Sequence, residues 1–84
     1  MAEYTVTLPS LGGDADDHAR VSFVYRDAGD AVAENDDLIE MVTDKATFNV
    51  PSPKAGTVVK MLVAEDDTVH VGEALCVLLT RDSP

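Results

Sequence analysis

Residues 38–50 read LIEMVTDKATFNV, and in this stretch two runs typical of β-strands, 38–43 and 46–50, are separated only by Asp44 and Lys45. A two-residue connection between such runs predicts a tight β-hairpin with Lys45 at its tip and its amine in solvent. Short turns of this kind often need positive φ, which Asp tolerates and Lys adopts at some conformational cost. The hairpin therefore predicts a fixed, outward-pointing amine.

The rest of the chain also consists of short runs rich in Val, Thr and aromatic residues, separated by polar turns. Further runs lie at 4–8, 21–26, 57–63, 69–71 and 75–80. No window of a dozen residues keeps a helical spacing of apolar positions without Gly, Pro or paired Asp interrupting it. This pattern predicts an all-β sandwich or barrel.

The chain contains an internal repeat on either side of the hairpin. An offset of 37 aligns residues 19–43 with residues 56–80 without a gap and places Asp30 on Asp67. Upstream, an offset of 42 places residues 6–10 on 48–52, with Pro-Ser identical. Neither copy is large enough to bury its own apolar face. The repeat predicts two four-stranded sheets that share one core about a pseudo-two-fold axis, as a flattened barrel-sandwich hybrid.

Length and charge exclude several classes of protein. The chain has 84 residues, which predicts one domain over 1–80 followed by the start of a linker or tail at 81–84. Its formal net charge of −10 repels nucleic acid and anionic lipid, so neither is an expected partner. No apolar stretch of 18 residues and no secretory leader occur, and we expect a cytoplasmic location, or the mitochondrial matrix in a eukaryote.

The Cys and His residues give little sign of chemistry in the sequence. Cys76 is the only cysteine and lies in an apolar run, which predicts a buried, inert thiol. His18 and His70 have no His or carboxylate partner at ligand spacing along the chain. Strand alternation points His70 outward as a plain polar residue. From the sequence we expect no metal site at either histidine.

The acidic residues do not match a calcium loop. Asp14, Asp16 and Asp17 suggest calcium ligands, but the spacing fails because Ala19 and Tyr25 occupy the positions where an EF-hand loop needs Gly and Glu. We expect these acids to form a solvated acidic surface. No Ser-His-Asp constellation or Gly-rich phosphate loop is present, which argues against an enzyme.

The segment Thr43-Asp44-Lys45-Ala46 resembles the attachment motif of lipoyl domains, the carrier modules of 2-oxo acid dehydrogenase complexes. The resemblance extends to residues 8–12, 29–32, 51–53 and 71–72 and covers about residues 4–80. It implies that Lys45 carries lipoic acid in an amide bond and that Asp44 and Ala46 are its recognition neighbours. It also implies a non-catalytic carrier domain, monomeric in isolation, belonging to a dihydrolipoamide acyltransferase.

The same resemblance implies a set of partner enzymes. A lipoate ligase or lipoyltransferase would modify Lys45. The modified domain would then accept an acyl group and electrons from a 2-oxo acid decarboxylase and move between that enzyme, the acyltransferase core and dihydrolipoamide dehydrogenase.

Three positions depart from the lipoyl pattern, and two other functions stay open. Val42 replaces the usual Glu, Ala19 replaces a common Gly, and Asp66 replaces the Gly of the second Gly-Asp turn. A biotinyl carrier has Met on both sides of its lysine, so Asp44 and Ala46 argue against it. An unmodified β-hairpin interaction module would keep Lys45 as a free amine.

Overall fold

Eight β-strands form two four-stranded antiparallel sheets in a computed structural model that describes residues 2–10 and 17–80. One sheet has the order β1-β8-β6-β3 and the other the order β5-β4-β2-β7. The strands are β1 (Ala2–Thr7), β2 (His18–Val24), β3 (Ala31–Val32), β4 (Asp37–Val42), β5 (Thr47–Pro51), β6 (Gly56–Met61), β7 (Thr68–His70) and β8 (Ala74–Thr80).

The two sheets confirm the predicted all-β class and the pairing of two similar halves. Strands β1 to β4 and β5 to β8 are the two halves, and each half contributes two strands to each sheet. Exchanging the halves converts the order β1-β8-β6-β3 into β5-β4-β2-β7, which is the order of the second sheet. Neither sheet can therefore form from one half alone.

Hydrogen bonds repeat between the halves at the predicted offset of 37. The backbone amide of Val58 donates to the carbonyl of Asp30, and that of Val21 donates to Asp67, both at 2.8 Å. The carboxylates of these two aspartates each close a turn by accepting a backbone N–H at 2.8 Å, from Asp27 and from Ala64. The turns at Gly29-Asp30 and Asp66-Asp67 thus link each half to the other.

The predicted offset of 42 for the first strand is wrong by two residues. Val6 pairs with Cys76 in one sheet, and Val50 pairs with Ile39 in the other. The two partners, Cys76 and Ile39, are equivalent at the offset of 37. Strands β1 and β5 are therefore equivalent at an offset of 44. Side chains alternate with a period of two, so a shift of two residues preserves the buried face and the sequence pattern alone does not reveal it.

Strand β3 was not among the predicted runs because only two residues, Ala31 and Val32, form it. Its partner is β6, with Val32 opposite Gly56. Its equivalent in the other half, β7, has three residues and pairs with β2. Both are edge strands, which suits their length, because short edges limit unwanted pairing with other chains.

Left-handed backbone occurs at equivalent turns in the two halves. Gly29 has φ 95° and Asp66, its equivalent, has φ 76°. The second pair is Asn35 with φ 74° and Gly72 with φ 90°. Asp66 thus replaces a turn glycine in the left-handed conformation, which Asn and Asp adopt at modest cost.

The apolar core lies between the sheets and uses matching residues from the central strands. Leu38 and Leu75 are fully buried at equivalent positions, as are Ile39 and Cys76. Each fully buried Leu or Ile side chain contributes roughly 1.5–3 kcal/mol relative to exposure. Burial raises the pKa of the Cys76 thiol to about 11, which confirms the predicted buried, inert cysteine.

No helix in residues 2–10 or 17–80 has the length and apolar character needed to cross a membrane. Strand β8 ends at Thr80, and the predicted linker at 81–84 lies outside the described residues, as do Asp14 and Asp16.

Candidate functional site: the Lys45 hairpin

The predicted hairpin joins β4 and β5, two strands with well-defined pairing. Val42 lies opposite Thr47 in the last strand pair before the turn. The next backbone bond runs from the amide of Thr43 to the carbonyl of Ala46 at 2.8 Å. Asp44 and Lys45 therefore form the end of the hairpin, as the sequence predicts.

The Thr43 side chain holds this turn, a role that the sequence analysis did not assign. Its hydroxyl oxygen accepts the backbone N–H groups of Lys45 at 3.2 Å and Ala46 at 3.1 Å. The hydroxyl also lies 3.3 Å from the carbonyl oxygen of Ala46, to which it donates. Ser and Thr are known to close turns in this way, so Thr two residues before the lysine was the available signal.

The expected positive φ at the hairpin tip is wrong. Among the described residues, left-handed backbone outside glycine occurs at Asn35 and Asp66, and neither Asp44 nor Lys45 adopts it. The hydroxyl of Thr43 satisfies the turn amides without that conformation. Lys45 is thus presented without the backbone cost that the sequence suggested.

Lys45 is exposed, and so are the neighbours Asp44 and Ala46. Within residues 2–10 and 17–80, the Lys45 amine makes no hydrogen bond or ion pair with another side chain. Lys54 differs, because it is half-buried and its Nζ lies 5.7 Å from the centre of the Tyr4 ring. The hairpin therefore offers a primary amine with no competing partner in the described part of the chain.

A groove of about 520 Å³ runs beside the hairpin. Its wall carries both signs of charge, from Arg20 and Asp44, and Arg20 forms an ion pair with Asp66 at 3.1 Å. The half-buried Val42 adds an apolar surface. The complete lining is His18, Ala19, Arg20, Val42, Thr43, Asp44 and Thr68.

His18 and His70 meet across strands β2 and β7, which the sequence analysis did not foresee. The two residues are direct partners in the antiparallel pairing, and their ring centroids are 5.6 Å apart. Each Nδ1 also has a carboxylate neighbour, Asp17 at 3.2 Å and Glu73 at 3.1 Å. The expectation that these histidines lack ligand-type partners is therefore wrong, while the outward direction of His70 is confirmed.

Both carboxylates of this cluster have lowered pKa values. The side-chain hydrogen bond with His18 lowers the pKa of Asp17. The backbone N–H of His70, which donates to Glu73 at 2.6 Å, and then the His70 ring lower the pKa of Glu73. Hydrogen bonds to the ionised form are the physical cause in both cases.

A family model described as "Biotin-requiring enzyme" matches residues 4–78, nearly the whole of the described fold. The chain belongs to this biotin/lipoyl family. The match spans both halves and includes the Lys45 hairpin.

The curated relatives are acyltransferase components of 2-oxo acid dehydrogenase complexes. The chain is 39% identical over 70 residues to the acetyltransferase component of the pyruvate dehydrogenase complex of Corynebacterium glutamicum, covering 83% of this chain and 10% of that protein. It is 34% identical over 81 residues to the lipoamide acyltransferase component of the branched-chain complex of Bacillus subtilis, covering 96% and 19%. The chain thus spans less than a fifth of either relative.

Two solved structures share the fold. The lipoyl domain of the 2-oxoglutarate dehydrogenase complex from Azotobacter vinelandii has a TM-score of 0.71 at 24% identity and covers 89% of this chain and 94% of that domain. A single-chain, multi-domain long-chain acyl-CoA carboxylase has a TM-score of 0.76 at 20% identity, covering 96% and 7%. At these identities the likeness concerns the fold alone.

Taken together, the family match and the curated relatives confirm the predicted resemblance to lipoyl domains of acyltransferase components. They do not favour the biotinyl alternative. Domains of this kind are small carriers, and the catalytic activity of the acyltransferase component lies in other domains.

Proposed function

We propose that this chain is the lipoyl carrier domain of a longer 2-oxo acid dehydrogenase acyltransferase and that Lys45 is the residue that receives lipoic acid. The observation that supports this most directly is the exposed amine at the tip of a hairpin whose turn is held by Thr43. A modifying enzyme must admit the amine into its active site, and a fixed hairpin tip meets that need.

The residues around Lys45 have separate roles in this proposal. Thr43 fixes the backbone so that Lys45 projects from the end of the β4–β5 pair. Ala46 leaves one side of the lysine free of bulk, and Asp44 places a carboxylate on the other side for recognition. Bound lipoic acid supplies a disulfide that takes up an acyl group together with two electrons.

Amide formation changes the charge of the hairpin. When the Lys45 amine is acylated, it loses its positive charge, and the net charge of the chain changes from −10 to −11. The lysine end of the domain then carries Asp44 without an adjacent cation. An acidic domain of this kind is suited to docking on basic surfaces of its partners.

The relatives are components of 2-oxo acid dehydrogenase complexes, which supports partners within such a complex. We infer a lipoate ligase or lipoyltransferase, a 2-oxo acid decarboxylase, the acyltransferase core and dihydrolipoamide dehydrogenase. Tethering a small carrier near successive active sites keeps its arm at a high effective concentration, so intermediates need not diffuse away.

Incubation of the domain with a lipoate ligase, ATP and equal amounts of lipoate and biotin tests the proposal by intact mass. We expect one lipoyl adduct per chain and no biotinyl adduct. Lys45→Ala should lose the adduct, while Lys60→Ala, a change at another exposed lysine, should keep it. An adduct that persists on Lys45→Ala would assign the attachment to another residue.

A second measurement separates the carrier from an unmodified interaction module. The lipoylated domain is mixed with thiamine-dependent dehydrogenases that act on pyruvate, 2-oxoglutarate or a branched-chain 2-oxo acid, each with its substrate. We expect reductive acylation of the arm by one of the three. A chain that no ligase modifies and no dehydrogenase acylates would instead be an interaction module.

A further inference from the structure

We propose that Asp17, His18 and His70 bind a divalent transition-metal ion of the Zn²⁺ class. One ligand atom from each residue, two imidazole nitrogens and a carboxylate oxygen, lies within 4.8 Å of the other two. The two histidines are cross-strand partners on β2 and β7, so the backbone itself brings their rings together. All three side chains are exposed, so an ion in solvent can reach them.

The donor set suits a borderline metal. Two imidazole nitrogens and one carboxylate oxygen are ligands that Zn²⁺ accepts at about 2.0–2.2 Å, and three protein ligands leave a fourth position for water. Imidazole favours Zn²⁺, Cu²⁺ and Ni²⁺ over Mg²⁺ and Ca²⁺, which prefer oxygen ligands. The two histidines therefore distinguish this cluster from the acidic surface around it.

Glu73 acts as a positioning residue for His70. Its Oε1 lies 3.1 Å from Nδ1 of the His70 ring and accepts the His70 backbone N–H at 2.6 Å. A carboxylate that accepts the Nδ1 proton fixes the tautomer and leaves Nε2 as the metal ligand. The structure already places the Glu73 carboxylate against Nδ1 of His70, as this arrangement requires.

The place of the cluster gives the ion a local effect. His18 lines the groove beside the Lys45 hairpin, so a bound cation would add positive charge to the wall that also carries Asp44. The ion would also link β2 to the three-residue edge strand β7. Neither effect depends on Lys45 being modified, so this inference is independent of the proposed carrier function.

Calorimetric titration of the unmodified 84-residue protein with ZnCl₂, in a non-chelating buffer with Mg²⁺ in large excess, tests the site. We expect one Zn²⁺ per chain. His18→Ala and His70→Ala should each weaken binding at least tenfold, and Glu73→Gln should weaken it about 10-fold to 100-fold. Glu65→Gln, which changes an exposed acid outside the cluster, is the matched control and should bind as the wild type does.

Imidazole NMR signals of the wild-type protein give a readout that needs no variant. Zn²⁺ should shift the ring signals of both His18 and His70 in a single 1:1 step. Binding that Mg²⁺ displaces, or that His18→Ala leaves unchanged, would overturn the proposal in favour of cation binding by the acidic surface. A failure of lipoylation at Lys45 would leave this result unaffected.

Discussion

The hairpin that carries Lys45 and the place where β1 meets β8 are equivalent parts of the two halves, and a comparison of their described residues separates the strand pairing from the turn. At the hairpin, the Thr43 hydroxyl lies 3.3 Å from the carbonyl oxygen of Ala46. At the other place, the Thr80 hydroxyl lies 3.2 Å from the carbonyl oxygen of Ala2. These are matching bonds, because β4 is equivalent to β8 and β5 to β1.

The differences between the two places separate what the strand pairing requires from what the hairpin adds. Thr80 is 2% exposed and pairs with Ala2 across two strands that no turn connects. Thr43 is half-buried and accepts two turn amides in addition to its bond with Ala46. The strand pair thus forms with or without a connecting turn. The pairing of the strands therefore does not depend on Lys45.

The largest difference between the halves should appear when Gly56 is replaced. A Cβ at Gly56 would collide with the backbone carbonyl of Leu79, whereas the equivalent residue, Ala19, already has a Cβ in a buried position. We expect Gly56→Ala to lower the free energy of unfolding by about 2–3 kcal/mol. We expect Ala19→Gly to lower it by about 1 kcal/mol or less.

Guanidinium chloride unfolding of both variants measures this difference. Equal losses in the free energy of unfolding would show that a Cβ at Gly56 is tolerated as well as the Cβ of Ala19, against the contact with the Leu79 carbonyl.

The equivalent residues Ile39 and Cys76 differ in their response to pH. Burial raises the pKa of Cys76 from 9.0 to about 11, so the folded state keeps the thiol proton while the unfolded chain loses it. The contribution of this residue to the free energy of unfolding is therefore fully present below pH 9. As the pH rises from 9 toward 11, the free energy of unfolding falls by about 1.4 kcal/mol per pH unit.

Urea unfolding at a series of alkaline pH values measures that slope, with Cys76→Val as the control. The variant resembles the apolar residue of the other half and should lose less stability over this range. Parallel curves for the two proteins would contradict the raised pKa.

A smaller effect is expected at the second pair of left-handed turns. Gly72 has φ 90° with open space around the position of a Cβ, and Asn35 occupies the equivalent position with φ 74°. Gly72→Ala should therefore cost about 1 kcal/mol through backbone conformation alone. Gly72→Asn should cost less, because Asn is what the other half uses, and thermal unfolding of both variants checks the ranking.

The smallest effect on stability is expected at Lys45 itself. Its side chain has no partner among the described residues, so Lys45→Ala should change the free energy of unfolding by less than about 0.5 kcal/mol while it removes the lipoyl adduct. Thr43→Val is the useful contrast, because it removes the bonds that hold the turn but keeps the lysine. A slower modification of a folded Thr43→Val protein would show that turn geometry matters to the ligase.

The sequence predicts most of the strands and their arrangement in two similar halves, because the apolar pattern and the turns occur twice. The offset of 37, the hairpin at Asp44 and Lys45 and the burial of Cys76 all follow from local patterns and are confirmed. The equivalence of β1 with β5 was misplaced by two residues, since a shift by the strand period leaves every buried position buried. The register of strand pairing therefore cannot be predicted from the alternation of apolar and polar residues alone.

The side-chain partners were harder to predict than the strands. His18 and His70 are far apart in the chain and meet only because β7 pairs with β2. The role of Thr43 depends on the distances from its hydroxyl to two amides, and the same sequence was compatible with a left-handed tip at Asp44. Such contacts depend on three-dimensional placement, which residue types and spacing do not determine.

The position of β8 has a consequence for the order of events during synthesis. This strand is the last one described, yet it lies inside its sheet between β1 and β6 and contributes Leu75, Cys76 and Leu78 to the interior. A nascent chain that has reached the Lys45 hairpin therefore still lacks β8, the strand that joins β1 to β6 in the opposite sheet. Because the domain becomes whole only when residue 80 has left the ribosome, a ligase that requires the folded hairpin would act on the finished domain, after translation of this segment.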